Sequence, residues 1–187
     1  MRIIAGIHRG RVLHAPKGLE VRPTADRARQ ALFDILMHGT FTGARYDIRE
    51  RRVLDAFCGT GALALEAISR GAAEAVLMDL DSKALAVARE NAKALKEDQH
   101  VKIIQADVTR PPAADRPCDL VFLDPPYGVG LGPPALAALA AKGWIAKNAV
   151  LILEVSAREK IAAPQGFEIL EERRAGAAKF VILRYAA

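Results

Sequence analysis

Val53-Leu-Asp-Ala-Phe-Cys-Gly59-Thr-Gly61-Ala-Leu-Ala64 decides the fold. Val53 to Phe57 is a short apolar run of strand length, and from Gly61 to Arg70 apolar residues recur at Leu63, Leu65, Ala67 and Ile68 before Gly71 stops the pattern. Strand, tight turn and helix follow one another, as in an α/β nucleotide-binding unit. Glycine suits the turn because it tolerates unusual backbone angles and lets a ligand lie against a chain with no Cβ in the way. Gly59-x-Gly61-x-x-Ala64 also satisfies the dinucleotide fingerprint, so alone it points as readily to an NAD-dependent dehydrogenase.

Downstream the same alternation continues. Ala75 to Asp79 reads as a second strand, Ser82 as the N-cap of a helix reaching Leu95 with Leu85, Val87, Ala88, Ala92 and Leu95 on its apolar side, and Val101 to Gln105 as a third strand. Asp119 to Leu123 is a fourth strand, Pro134 to Lys142 a helix, and Ala149 to Val155 a fifth strand. Gly166 to Glu172 and Lys179 to Tyr185 close the chain as two strands around a turn at Arg174-Ala-Gly176. The expected architecture is a seven-stranded, mostly parallel sheet with an antiparallel terminal strand, wrapped by helices. Ahead of it, Arg2 to Ala5 and Gly10 to His14 predict a small β-hairpin, and Ala25 to Met37 an amphipathic helix capped by Thr24, with Gly39 to Arg49 as a loop. Residues 1–50 are therefore read as an N-terminal extension and residues 51–187 as the ligand-binding domain.

The 187 residues carry a net charge of +5, unevenly placed: residues 1–52 hold eleven Lys and Arg against five Asp and Glu, the remainder sixteen against seventeen. A basic segment beside a neutral domain reads either as a tether for RNA or DNA or as a solvated face. The start, Met1-Arg-Ile-Ile-Ala-Gly-Ile-His8, lacks the apolar run of a secretory signal, and no apolar stretch approaches membrane-spanning length, so a cytoplasmic location with no membrane partner is expected. Cys58 and Cys118 are far apart and read as small buried hydrophobes. His8, His14, His38 and His100 lack ligand spacing and read as surface or loop residues, so no metal is expected.

Ligands of open α/β sheets bind at the carboxyl ends of the strands, and the residues there form a set. Strand one ends in Asp55 to Gly61, strand two in Asp79, strand three in Ala106-Asp107, and strand four in Asp124-Pro125-Pro126-Tyr127. Asp79 suits the two ribose hydroxyls of an adenosyl cofactor or NAD, and Asp107 an adenine amino group. The last segment discriminates. An exocyclic base nitrogen is a poor nucleophile because its lone pair is delocalised into the ring. Two acceptors on its hydrogens, the Asp124 carboxylate and the Pro125 carbonyl, would draw it towards tetrahedral geometry with the lone pair aimed at a sulfonium methyl. The prolines fix that carbonyl, and Tyr127 is placed to stack on a base. Gly128-Val-Gly130-Leu-Gly132 reads as a lip admitting the base or as an ordinary loop.

With these residues the chain resembles the RsmD family of 16S ribosomal RNA (guanine-N2)-methyltransferases. The likeness runs through Met1 to Gly6 with Arg9-Gly-Arg11, Arg22-Pro-Thr24 leading into Arg29-Gln-Ala-Leu-Phe33, Asp55 to Gly61 with Leu65-Glu66 and Ser69-Arg-Gly71, and Asp124 to Tyr127. It implies the Rossmann-like fold of class I S-adenosylmethionine-dependent methyltransferases and methyl transfer to one guanine N2 of small-subunit ribosomal RNA, free or within the 30S particle. By position it implies that Asp55, Gly59 and Gly61 line the cofactor, Asp79 takes the ribose and Asp107 the adenine, while Arg22 and Thr24 close over the methionine end. It implies phosphate contacts for Arg2, Arg9, Arg11 and Arg27, with Arg29 divided between RNA and an internal ion pair. A monomer is expected. Family members usually carry Glu where this chain has Asp79, and Glu is common where Gln30 stands. Three other readings stay open: an adenine-N6 methyltransferase, a ribosomal RNA-binding assembly factor without chemistry, and the dehydrogenase.

Overall fold

The computed structural model describes residues 1–15, 23–39, 41 and 45–187, with the backbone alone for residues 23–25. One seven-stranded sheet forms the centre, built from β1 (Arg52–Ala56), β2 (Glu74–Asp79), β3 (Val101–Gln105), β4 (Cys118–Leu123), β5 (Ile145–Ser156), β6 (Phe167–Ala175) and β7 (Ala178–Tyr185). Its order is β3-β2-β1-β4-β5-β7-β6. Only β7 runs against its neighbours, pairing antiparallel with both β5 and β6. The chain steps outward from β1 to β3 and then returns to the other side of β1, so β1 and β4 flank the switch point where a crevice opens.

Helices α1 (Pro23–His38), α2 (Ala62–Ser69) and α3 (Ser82–Leu95) cover one face, and α4 (Gly132–Ala141) packs on the other. Strand alternation divides the core accordingly. Val53, Leu77, Leu120, Phe122, Ile152 and Phe180 meet Leu32, Phe33, Ala64 and Ala88 on the first face, while Leu54, Met78, Val121, Leu151 and Leu183 meet Leu136 and Leu139 on the second. Gly61 stands at φ +77° before α2, and a Cβ there would come within 2.5 Å of the Leu77 side chain. Glycine thus lets α2 start immediately and lie close on β2.

Several ends differ from the expected ones for local reasons. Asp81, not Ser82, caps α3, its carboxylate accepting from the Lys83 amide at 2.8 Å. Thr24 lies inside α1 because the helix begins at Pro23, whose missing N–H costs nothing in a first turn. β5 starts at Ile145, four residues before its apolar run, because a register shift against β4 and a left-handed Asn148 insert two exposed residues, Lys147 and Asn148, into the strand.

The N-terminal hairpin forms a single bridge, Arg2 to Val12. The Ile3, Gly10 and Leu13 amides bond across it to the Arg11, Ile3 and Met1 carbonyls, while other backbone groups turn to α2 and α3. The Glu66 carboxylate, fully buried, accepts from the amides of Ile4 at 2.8 Å and Ala5 at 3.0 Å and from Arg70 Nε at 2.8 Å, with Arg29 Nε 3.8 Å away. Ser69 Oγ donates to the Ala5 carbonyl, and the Ser69 carbonyl accepts from the Ile7 amide. Gly6 lies so close that a Cβ would sit 1.7 Å from the Ser69 carbonyl oxygen, so only glycine fits. Ile3 and Leu13 pack against Leu65, Ala92 and Leu95. Arg29 is buried and donates to the Arg2 carbonyl and to Asp26, so its role is internal. Replacing Glu66 by Ala strands two cations and two amides. An unfolding free energy lower by about 3–5 kcal/mol is expected in denaturant titrations, with early loss of exchange protection at Ile4 and Ala5; unchanged stability would remove Glu66 from this role.

Candidate active site

Residues of alternate parity along β1, β2, β4 and β5 place Asp55, Asp79, Asp124 and Glu154 on the face covered by α1 to α3, at or just beyond the strand ends. Asp55 is 1% exposed and accepts from the Ala64 amide at 3.0 Å, holding the first turn of α2 from beneath. Burial pushes its carboxyl well above the usual range, and the charges of Asp124 and Asp79 add to that. Asp79 Oδ2 accepts from the Gly59 amide at 2.8 Å and Oδ1 from the Asp81 amide at 2.9 Å, so this acid ties the glycine loop to the end of β2. Each of its oxygens retains a second lone pair for a diol.

The two loop glycines have different tasks. A Cβ on Gly59 would meet nothing within 4 Å, whereas Gly61 is a packing residue. Asn91, fully buried on α3, donates to the Thr60 carbonyl and to the His14 carbonyl, both at 3.1 Å, and accepts from the His14 amide at 2.7 Å. One side chain thereby links the glycine loop to the end of the N-terminal hairpin. Asp107 follows β3 and is half-buried; its Oδ1 accepts from the Thr109 hydroxyl at 2.7 Å and amide at 2.8 Å. Those bonds hold its carboxyl below the usual range and leave Oδ2 for another donor.

Asp124 follows β4, its amide pointing to the Ala56 carbonyl at 3.4 Å, so the segment is pinned to the end of β1. Asp124 is exposed as a residue, and the protein around it partly desolvates its carboxyl. That desolvation lifts it to about 7, and the charge of Glu154 contributes. Pro125 is buried, and Pro126 and Tyr127 are exposed. The Tyr127 hydroxyl donates to Glu154 Oε1, and burial together with that bond raises the phenol well above its usual value. Glu154 is itself raised by burial.

Arg2, Arg9, Arg11 and Arg27 are all exposed on the N-terminal segment, Arg11 Nη2 reaching the Ala94 carbonyl at 3.1 Å. Arg22 and the Thr24 side chain lie outside the described residues. Both cysteines are buried and unpaired, with burial raising Cys118 to about 12. His14 and His38 are exposed, whereas His8 and His100 both contact Glu97, at 2.5 and 2.7 Å. No helix among the described residues is long and apolar enough to cross a membrane. Glu66, Asn91 and Glu154 are the working side chains that sequence reasoning left without a role. For Glu154 the signal was there: one acid inside the apolar run Val150 to Val155.

The family model described as Conserved hypothetical protein 95 matches residues 1–184. The ribosomal RNA small subunit methyltransferase D of Haemophilus influenzae is 31% identical over 94% of this chain and 89% of its own. A solved structure of a putative methyltransferase from Escherichia coli is 31% identical, with a TM-score of 0.82 covering 100% of this chain and 98% of that one. An RNA methyltransferase from Salinibacter ruber in complex with S-adenosyl-L-homocysteine shares the fold at 14% identity, with a TM-score of 0.65 over 88% of this chain and 94% of its own. The architecture is the Rossmann-like fold of class I S-adenosylmethionine-dependent methyltransferases. Matched over nearly its whole length, the chain belongs to the Conserved hypothetical protein 95 family, the RsmD family that its motifs resemble.

Proposed function

We propose that this chain transfers a methyl group from S-adenosylmethionine to the exocyclic N2 amino group of one guanine in 16S ribosomal RNA. The observation that carries this reading is Asp124-Pro125-Pro126-Tyr127 standing at the switch point beside an acid-lined glycine loop. The name of the Haemophilus relative supports the substrate class.

The residues present fit this cofactor. Its ribose diol and adenine amine are donors, and Asp79 and Asp107 keep acceptor positions free for them. Its sulfonium and ammonium are cations. Asp55, Asp124 and Glu154 crowd negative charge into one place and are each raised by burial, a strain that a bound cation relieves. When bound, S-adenosylmethionine supplies an electrophilic methyl on positively charged sulfur. Asp124 then accepts from one N2 hydrogen and the Pro125 carbonyl from the other, turning the nitrogen lone pair out of conjugation and along the attack line. As the nitrogen takes the methyl, its surplus proton passes to Asp124, whose raised basicity suits the task. Tyr127, anchored by Glu154, presents its ring to the base.

Residues 1–50 form the RNA-contacting extension of a catalytic domain spanning 51–187. Arg2, Arg9, Arg11 and Arg27 grip phosphates while the pocket settles base identity. Arg22 and Thr24 are assigned to the methionine end of the cofactor. The partner is small-subunit ribosomal RNA, free or in the 30S particle, which sets the place of action in the cytoplasm. The protein acts as a monomer and without a metal.

Purified protein with tritiated S-adenosylmethionine and undermodified ribosomal RNA or small subunits should yield 2-methylguanosine. Labelled N6-methyladenosine would redirect the reading to adenine, and no label in any such substrate would reject it. Asp124→Ala should lower kcat by on the order of 10²–10³ with S-adenosylhomocysteine binding retained; full activity would remove Asp124 from the chemistry. Because the carboxylate is the working form, kcat/KM should climb with pH up to about 7 and level off above it, and Asp124→Asn should flatten that limb. A bound cation favours the carboxylate, so the limb in kcat should lie at lower pH.

A further inference from the structure

Glu154 is an acid without an evident structural task. Strand alternation puts it on the face of the crevice, and the parallel register, with Leu123 opposite Leu153, makes Asp124 and Glu154 the next neighbours across β4 and β5. Tyr127 occupies Oε1, while Oε2 has no hydrogen-bond partner among the described residues, and no Lys or Arg among them pairs with the group. A half-buried carboxylate without a cation, beside a second carboxylate, is a costly arrangement that a fold keeps when the free oxygen has a ligand to meet.

The donors of that ligand follow from the proposed substrate. Guanine presents N1–H and the two N2 hydrogens side by side on its Watson–Crick edge, whereas adenine presents a lone pair at N1 beside its amine. With Asp124 and the Pro125 carbonyl on the N2 hydrogens, the neighbouring position on the edge needs an acceptor for guanine and a donor for adenine. We propose that Glu154 is the specificity-determining residue of this site, its free carboxylate oxygen accepting from guanine N1–H while the other oxygen holds Tyr127 against the ring. This rests on the guanine reading above and extends it: Asp124 serves any exocyclic amine, and Glu154 chooses between them. A lone pair at N1 meets the carboxylate head-on, and a site that hydrogen-bonds a substrate N–H rejects an analogue lacking it far more strongly than an apolar pocket rejects a missing methyl.

The test uses 2-aminopurine, which keeps the 2-amino group and replaces N1–H by a lone pair. Synthetic RNA hairpins are made around the nucleotide that the full-length protein labels in undermodified small-subunit RNA, with guanine or 2-aminopurine at that position. The wild-type protein should prefer guanine in kcat/KM by on the order of 10² or more. Glu154→Gln, whose amide can either accept or donate, should bring the two substrates to within about tenfold of each other, through a fall with guanine and a gain with 2-aminopurine. Tyr127→Phe removes the anchor and leaves the carboxylate, so its rates fall while the guanine preference stays. Thermal melts and S-adenosylhomocysteine binding verify that the variants are folded. A wild-type preference near one overturns the proposal without any variant, as does a folded Glu154→Gln protein that keeps the full preference. If the wild-type protein makes 2-methylguanosine but fails either criterion, Glu154 alone loses its role; if it makes none, the guanine reading falls and the proposal with it.

Discussion

The two-residue period of a β-strand is the constraint from which this site follows. Once Val53 and Leu77 point to the face under α1 to α3, Asp55 and Asp79 must point there too, and β4 and β5 send Asp124 and Glu154 to the same side. Parallel register then brings the strand ends level, so four acids drawn from positions 55 to 154 meet at one edge. A shift of one residue in any strand would turn its acid into the opposite core, against Leu136 and Leu139, where a charge has no partner. Apolar packing thus fixes where the acids stand, and Gly61, which lets α2 close over β2, keeps the lid of this arrangement tight.

Helix α2 joins the two halves of the proposed activity. Its first turn is tied to β1 through Asp55 and to the glycine loop through the Gly61 carbonyl, and its last turn is the socket for the N-terminal hairpin through Glu66 and Ser69. Asn91 adds a second link, from the hairpin's end at His14 to Thr60 in the loop. Arg2, Arg9 and Arg11 are therefore carried on a segment fastened to α2, not on a free arm. This also accounts for the joint presence of Met1 to Gly6, Leu65-Glu66 and Ser69-Arg-Gly71 in one chain: they are two sides of one contact.

Much of this was legible beforehand, and the exceptions share a cause. The strand and helix order, Asp55 to Gly61 and Asp124 to Tyr127 could be read because local pattern encodes them. The hairpin was legible only as two short runs, because beside its few cross-strand bonds its backbone groups bond to Glu66 and Ser69, more than sixty residues away in sequence. Glu66 was visible as part of a motif, but its task depends on Ile4, Ala5, Arg29 and Arg70 arriving from other elements. Glu154 is one acid inside an apolar strand, and its partner Tyr127 arrives from beyond the end of β4. The start of β5 was hidden because two polar residues in a register shift look like a loop.

Crowded acids also set a relation between stability and use. Asp55, Asp124 and Glu154 are each raised by burial, so in the folded state they hold protons at pH values where the unfolded chain has released them. Wherever the folded state binds more protons, stability falls as pH rises. For Asp124 that window runs from its ordinary value near 4 to about 7, so only above it does the free protein bear the full cost of this acid. A ligand that brings positive charge and hydrogen-bond donors to the same place reverses the sign, favouring the charged acids and binding the folded state alone. Filling the crevice with such a ligand then removes the cost of these acids. In the proposed function, the link from Asp79 to Gly59 and the free oxygen of Glu154 place acceptors where a cationic cofactor and the donor edge of a base would meet them.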